Sequence, residues 1–149
     1  MIYENLKLKG RVALELKDAQ GNIKQTQEID NLVVDAGLDY IASRMEGVSE
    51  DVMSHMGLGS GSTAADAADT DLETLLGSRE ALDSTTVTNN EVVYVATFEA
   101  GDATGSVREA GIFNASTAGT MLCRTVFDVV NKAADDTLSV TWTITISAS

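Results

Sequence analysis

The sequence predicts an all-β, mainly antiparallel fold: a β-sandwich or a partly open barrel of about seven to eight strands, with one short helix packed on it. Three observations lead to this prediction. Apolar and polar residues alternate along several segments, 12 glycines and no prolines divide the chain, and only one long segment has the apolar spacing of a helix. At 149 residues the chain is expected to form a single domain, residues 1–149, around one core.

The N-terminal segment, residues 1–30, is predicted to be a β-hairpin arm. From Leu6 to Lys17 every even position is apolar or glycine, which is the alternation of a strand with one buried face. Residues 18–22 have turn chemistry, and Ile23–Ile29 is expected to return as the second strand of the hairpin.

The segment at residues 35–47 is predicted to be the one real helix. Its apolar residues recur at the i, i+3, i+4, i+7 spacing of a helix with one apolar stripe, and Gly47 can end it; the stripe is Leu38, Ile41, Ala42 and Met45. We expect this stripe to lie across a sheet.

Residues 52–149 are predicted to form the main β module. A short strand at Val52–Leu58 precedes an exposed loop over residues 59–69, and the capping-box spacing of Thr70 and Glu73 predicts a helix of one or two turns before Gly77. The later strands are predicted at Arg79–Val87, Glu91–Phe98, Ser106–Phe113, Thr120–Phe127 and Thr137–Ser147. The last is the clearest, and it carries Trp142, the only tryptophan, on its apolar face.

The charge of the chain disfavours two classes of partner. The formal net charge of −13 repels nucleic-acid phosphates and anionic membranes, so neither is expected to bind. The charge is uneven, because residues 1–24 sum to +2 and residues 25–149 to −15. Lys7, Lys9 and Arg11 would suit docking on an acidic neighbour, including another copy of the chain, and a solvated strand face is the equal alternative.

No segment has the apolar length of a membrane span or of a secretion signal, so the chain is expected to be intracellular when made. Cys123 is the only cysteine, which rules out an internal disulfide. We interpret it as a small buried hydrophobe rather than a reactive thiol.

The candidate sites for chemistry all have a stronger structural interpretation. Gly57–Gly61 is similar to a phosphate-binding glycine loop, but a polar loop follows it where a long helix is needed. His55, the only histidine, is interpreted as a packed structural residue. Asp66, Asp69 and Asp71 offer oxygen ligands for calcium, although their spacing does not fit an EF-hand, and they also suit the start of a helix.

The Arg108-Glu109 pair stands in an apolar strand. Alternation places one of these charges toward the interior, where it needs a partner, so we expect a structural ion pair or hydrogen-bond anchor. No pair of carboxylates is placed in one cleft by the sequence. We therefore predict no catalytic, cofactor-binding or metal-binding residues, no cofactor, and a protein that is not an enzyme.

Several motifs resemble a family of short virion proteins of tailed bacteriophages, often labelled tail-fibre-like. The shared pattern runs EAGIFNA, GTMLCRT, NK, DTL and TWT, and it falls on residues 109–115, 119–125, 131–132, 136–138 and 141–143. The segment from Met53 to Gly61 is similar to a THMAVGDG stretch near the start of phage tail-fibre proteins, and residues 29–37 also agree. The resemblance covers nearly the whole chain.

The resemblance implies a non-enzymatic structural protein of the virion, made in the cytoplasm of the bacterial host. Because the sequence stops at Ser149, directly after the β module and without a fibre shaft, we favour a capsid decoration (cement) protein on the outer surface of the head. Its expected partners are the major capsid protein and copies of itself, with a homotrimer as the expected oligomer. The alternative is a tail-fibre, baseplate or adaptor component that serves host attachment.

Overall fold

The structure is a computed structural model that describes residues 6–47 and 50–148. It contains one helix and a single nine-stranded sheet, which curls into a half-barrel. The elements are β1 (Leu6–Lys17), β2 (Ile23–Val33), α1 (Asp35–Glu46), β3 (His55–Gly59), β4 (Glu80–Ala81), β5 (Ser84–Thr88), β6 (Glu91–Phe98), β7 (Gly105–Phe113), β8 (Met121–Lys132) and β9 (Thr137–Ala148). The all-β prediction is confirmed.

The strands are ordered β4-β3-β7-β8-β2-β1-β9-β6-β5, and every pairing is antiparallel. Strand β2 joins the two halves of the sheet. Most of its length pairs with β1, whereas only Leu32 and Val33 pair with β8. Toward the N-terminal end of β2 the two halves of the sheet are not paired through their backbones. There the side-chain amides of Gln25 and Gln27 donate to backbone carbonyls of β8 instead. The sheet is therefore open on this side.

The core lies between the two halves of the curled sheet. The inward residues of β1, β9 and β6 are in register, so that Val12 and Tyr94 flank Trp142 on neighbouring strands. These pack with inward residues of the other half, such as Ile112 and Cys123 on β7 and β8. The alternation that predicted β1 and β9 is thus the alternation between this core and the outer surface.

Helix α1 has the predicted bounds, and Gly47 ends it in the left-handed conformation. The predicted apolar face is wrong except at Ile41, which is partly buried and packs against the main core. The helix buries Gly37 and Tyr40, while Leu38 and Met45 are 43% and 89% exposed and Ala42 is also exposed. A Cβ at position 37 would fall 2.1 Å from the carbonyl oxygen of Leu122, so the missing side chain lets the helix backbone approach β8 closely.

The short helix predicted between Thr70 and Gly77 is absent, and these residues form a loop with one bridge to β3. The N–H of Ser60 donates to Thr74 O at 2.8 Å, and the N–H of Leu76 donates to Leu58 O at 2.9 Å. Pairing with the edge of β3 satisfies the backbone of this segment better than one isolated helical turn would. The strand predicted at Arg79–Val87 is likewise divided into β4 and β5.

Candidate functional site

The densest group of polar contacts in the described residues surrounds Glu109, on the outer face of β7. This side chain is completely buried. Its Oε1 accepts hydrogen bonds from the Glu73 N–H at 2.8 Å and from Arg124 Nε at 3.0 Å. Its Oε2 accepts from the N–H groups of Gly61 and Thr74, both at 2.8 Å. Four donors occupy about the whole acceptor capacity of a carboxylate, so this group acts as an anchor for the loop above it.

Arg124, on the adjacent strand β8, supplies the positive charge. Besides Glu109, it donates from Nη1 to Asp69 Oδ2 at 2.8 Å and from Nη2 to the carbonyl of Thr63 at 3.0 Å. Burial by itself lowers the pKa of Arg124, but the hydrogen bonds with Asp69 and Glu109 outweigh it and raise the pKa. The predicted structural ion pair is confirmed for Glu109, and its partner is Arg124 on the neighbouring strand.

A bulge between β7 and β8 explains why the carboxylate of Glu109 faces away from the main core. The register shifts between Val107 and Glu109. Val107, Ala110 and Ile112 face the main core, so the carboxylate of Glu109 is directed to the opposite face. Simple alternation could say that one of two adjacent charges is buried, but it could not choose the partner across the sheet.

The glycine motif at Gly57–Gly61 binds an anion that belongs to the protein itself. A Cβ at Gly59 would lie 2.6 Å from Glu109 Oε2, and a Cβ at Gly61 would lie 2.4 Å from the same oxygen. The two glycines therefore let the backbone close around a carboxylate, as glycine loops do around phosphates. Since Glu109 fills this position, the motif is explained by an internal anchor.

The three aspartates considered for calcium do not converge. Asp69 pairs with Arg124, Asp66 accepts from the Ala68 N–H, and Asp71 accepts from the Leu72 N–H. Across residues 6–47 and 50–148 no group of three acidic, histidine or cysteine side chains is placed to hold a metal ion. Asp69 serves instead as the outer end of the buried charge chain.

The loop over residues 60–79 is fastened a second time, at Arg79. Its guanidinium lies 3.5 Å from the centre of the Phe113 ring, a cation–π contact. Nη1 also donates to the carbonyls of Ala115 and Ala118 at 2.9 and 2.8 Å. Phe113, Val34, Leu72 and Met121 form a small apolar cluster under the loop. Arg79 and Leu72 therefore hold the end of this loop against the sheet, while most of residues 62–69, within the loop predicted to be exposed, are exposed.

The remaining singled-out residues have local roles. His55 is partly buried, and its Nδ1 lies 2.8 Å from Ser54 Oγ. Cys123 is buried in the main core, and burial raises the pKa of its thiol well above the ordinary value, which keeps it unreactive. Trp142 is fully buried, and its Nε1 has no hydrogen-bond partner among the described residues.

An apolar groove opens at one end of the half-barrel, where β1 and β9 run past the core beside α1. It has a volume of about 460 Å³. Its lining includes four exposed or half-exposed apolar residues, Leu6 (79% exposed), Leu32 (37%), Leu38 (43%) and Ile146 (36%). The pairing of Leu8 with Ile146 continues the inward face of the sheet into this groove. Apolar surface at this density is typical of an interaction site.

The basic residues of β1 lie on the opposite face of that strand. Arg11 forms an ion pair with Glu28 of β2, which raises the pKa of Arg11 through that hydrogen bond and the carboxylate charge. Lys7 and Lys9 are exposed, and neither has an ion pair within the described part of the chain. Of the three basic residues, these two therefore have their charge available for a neighbour.

Comparison with protein-family models, with curated proteins and with solved structures found no match to this chain. Among the described residues, no helix has the length and apolar character needed to cross a bilayer.

Proposed function

We propose that this chain is a non-enzymatic structural protein of a tailed-bacteriophage particle, and specifically a capsid decoration protein that stabilises the head. The observation that carries the proposal is where the phage-like motifs lie in the fold. Residues 109–113 belong to β7 and residues 121–125 to β8, and they contain Glu109, Arg124 and the core residues between them. The resemblance to virion proteins thus falls on the residues that build and fasten the body, which supports a structural role.

The apolar groove beside α1 gives such a body a surface for a neighbouring capsid subunit. The lining residue Leu38 is presented by a helix whose close side is fixed on β8 through Gly37. The high negative charge of residues 25–149 suits an outward position on the particle, because packaged DNA would repel it.

Self-association completes the proposal, with a trimer as the expected oligomer. A domain of this size offers only about 800 Å² to one neighbour in a standard interface. Linked copies that bind adjacent capsid subunits convert later contacts into intramolecular ones, which raises avidity by roughly a hundredfold or more. A weak single contact can then hold a lattice together.

A test of the groove uses two leucine-sized residues on the same helix. Leu38→Ser removes an apolar side chain from the groove, and Met45→Ser removes one that is 89% exposed and is not part of its lining. Losing a buried leucine contact costs about 1.5–3 kcal/mol, so Leu38→Ser should weaken binding to expanded capsids about tenfold or more. Met45→Ser should bind as the wild type does, and equal binding by both variants would contradict the role of the groove.

The lysines of β1 are tested by reversing Lys7 and Lys9 to Glu together, with Lys17→Glu as the control because Lys17 already pairs with Glu15. If these lysines meet an acidic neighbour, the double reversal should reduce incorporation into particles, and high salt should reduce incorporation of the wild type. Incorporation that is independent of salt and of both lysines would remove the electrostatic part of the proposal.

A tail-fibre, baseplate or adaptor component is the second candidate, and the similarity of Met53–Gly61 to the start of tail-fibre proteins favours it. Hundreds of copies per particle would indicate the capsid, and a few dozen or fewer would indicate the tail. Phage that lack the protein should have heads that burst at lower temperature or under milder osmotic shock but should still adsorb. Heads of normal strength with defective tails would refute the decoration role and support the second candidate.

A further inference from the structure

The two edges of the nine-stranded sheet differ in how they are protected. At one edge β4 has only two residues, and the bridge between Gly59 and Leu75 covers the end of β3. At the other edge lies β5, Ser84–Thr88, and all five of its residues are exposed. Along an edge strand, alternate residues direct their N–H and C=O groups away from the sheet, where another strand can bind them.

Strand β5 lacks the usual devices that prevent strand addition. Its sequence, STTVT, contains no charged residue and no proline. Four of its five residues are β-branched, and Val87 is 68% exposed although it is apolar. At five residues it is as long as an average strand. Such an edge is a template for pairing with another strand.

We infer that β5 pairs antiparallel with β5 of a second copy of this chain, in a two-fold register centred on Thr86. In this register Thr85 faces Val87 of the other copy, which is a favourable β-branched pair. Ser84 faces Thr88, and the next residue outward, Asp83, faces Asn89 rather than another acid. Asp83 also accepts a hydrogen bond from Thr97 Oγ1 at 2.6 Å, so its charge is engaged in its own sheet.

A second copy is the occupant that the sequence of β5 favours, because the strand is complementary to itself in this register. The strand itself is neutral, and its self-pairing places no like charges opposite each other. No residue of β5 lines the apolar groove, although Asn90 in the turn after β5 is hydrogen-bonded to Ile146 of that lining. This inference specifies the self-association within the proposed function. It joins copies two at a time, in addition to any contact that closes a trimer.

The dependence on salt separates this contact from docking through Lys7 and Lys9. Each copy carries a net charge of −13, so two copies repel each other and added salt should strengthen pairing through the neutral strand. Docking through the lysines should weaken with salt. The strand contact alone is smaller than a standard interface, so we expect association of the purified protein at high rather than low concentration.

The decisive experiment is site-specific disulfide formation in the purified full chain. The native Cys123 is buried, so a thiol introduced on β5 is the reactive one. Thr86→Cys places two thiols opposite each other across the two-fold register, and mild oxidation should give a covalent dimer quickly. Thr88→Cys is the matched control, because in the same register its two thiols are about four residues apart along the strands and should cross-link at least tenfold more slowly.

A complementary variant is Val87→Lys, which puts a charge on the edge without touching the core. It should abolish the salt-promoted increase in mass seen by sedimentation of the wild type, with an unchanged melting temperature. Equal cross-linking at positions 86 and 88, or a monomeric wild type at every salt and protein concentration, would overturn the inference. Cross-linking of Thr86→Cys only to a different protein in whole particles would assign the edge to that protein and would also overturn it.

Discussion

The buried carboxylate of Glu109 is the residue whose replacement should reveal most about this fold. Glu109→Ala removes the acceptor of three backbone N–H groups and one guanidinium N–H. The loop over residues 60–79 then keeps its contacts at Arg79, while the part around Gly61 and Thr74 loses its anchor. Both local release of the loop and lower global stability should follow.

The size of the stability loss expected for Glu109→Ala follows from the contacts that the replacement removes. Breaking one side of a buried ion pair costs about 3–5 kcal/mol, and each buried N–H left without an acceptor costs about 1–3 kcal/mol. These two costs do not add fully, because a released loop lets water reach the N–H groups that have lost their acceptor. We therefore expect a loss of about 3–5 kcal/mol in the free energy of unfolding, which for a domain of this size lowers the Tm by about 6–20 °C. Glu109→Gln keeps the shape and one acceptor oxygen, but its NH2 group would face two of the N–H donors, so this variant should also be less stable than the wild type.

Two probes distinguish local release from global unfolding. Urea denaturation followed by the fluorescence of Trp142, at the centre of the sheet, reports global stability. Limited proteolysis between residues 60 and 79 reports release of the loop. Glu91→Gln, on an exposed strand position, is the control and should stay within about 0.5 kcal/mol of the wild type. A Glu109→Ala variant with wild-type stability and wild-type protease resistance would refute the anchoring role.

Three further replacements test the core, the charges and the helix. Trp142→Ala should lower the free energy of unfolding by about 3–5 kcal/mol, because the side chain is fully buried. Trp142→Phe should lower it less, because the Nε1 group that it removes has no hydrogen-bond partner among the described residues. An unchanged melting temperature for the alanine variant would contradict the assigned strand register. The hydrogen bonds from Lys24 and from the Ala133 N–H lower the pKa of Asp136, so its contribution to stability is present above the ordinary aspartate pKa and is lost as pH falls through the lowered value. Asp136→Asn should therefore flatten the acid limb of the stability–pH profile, and an unaltered limb would exclude this group as its source. Gly37→Ala should displace α1, since its Cβ would fall 2.1 Å from Leu122 O, and circular dichroism and melting equal to the wild type would show that the helix does not pack this closely.

The sequence was most informative where each residue is governed by its immediate neighbours. Turn residues on either side delimited β6, Glu91–Phe98, and Gly47 marked the end of α1. Strict alternation identified β1 with the bounds Leu6–Lys17 that the structure has. Alternation works there because a strand with one buried face repeats every two residues whatever its partners are. For the same reason the alternation predicted that one of the two charges of Arg108 and Glu109 is buried. The function proposed from the phage-like motifs stays a prediction.

The tertiary structure alone decided which groups meet across the sheet. Arg124 was the partner of Glu109 because β7 and β8 pair with a bulge between Val107 and Glu109, and no local pattern encodes that offset. The helix packs its glycine side on β8, because the close approach of the two backbones rather than the hydrophobic spacing determined the packed face. Of the predicted apolar stripe, Leu38 and Ile41 line the groove, and Ala42 and Met45 are exposed. The capping-box segment after Thr70 became a loop because β3 and a buried carboxylate offered its backbone better partners than a single helical turn. In each case a hydrogen-bonding or packing partner that is distant in sequence outweighed the local preference, and only the fold supplies such partners.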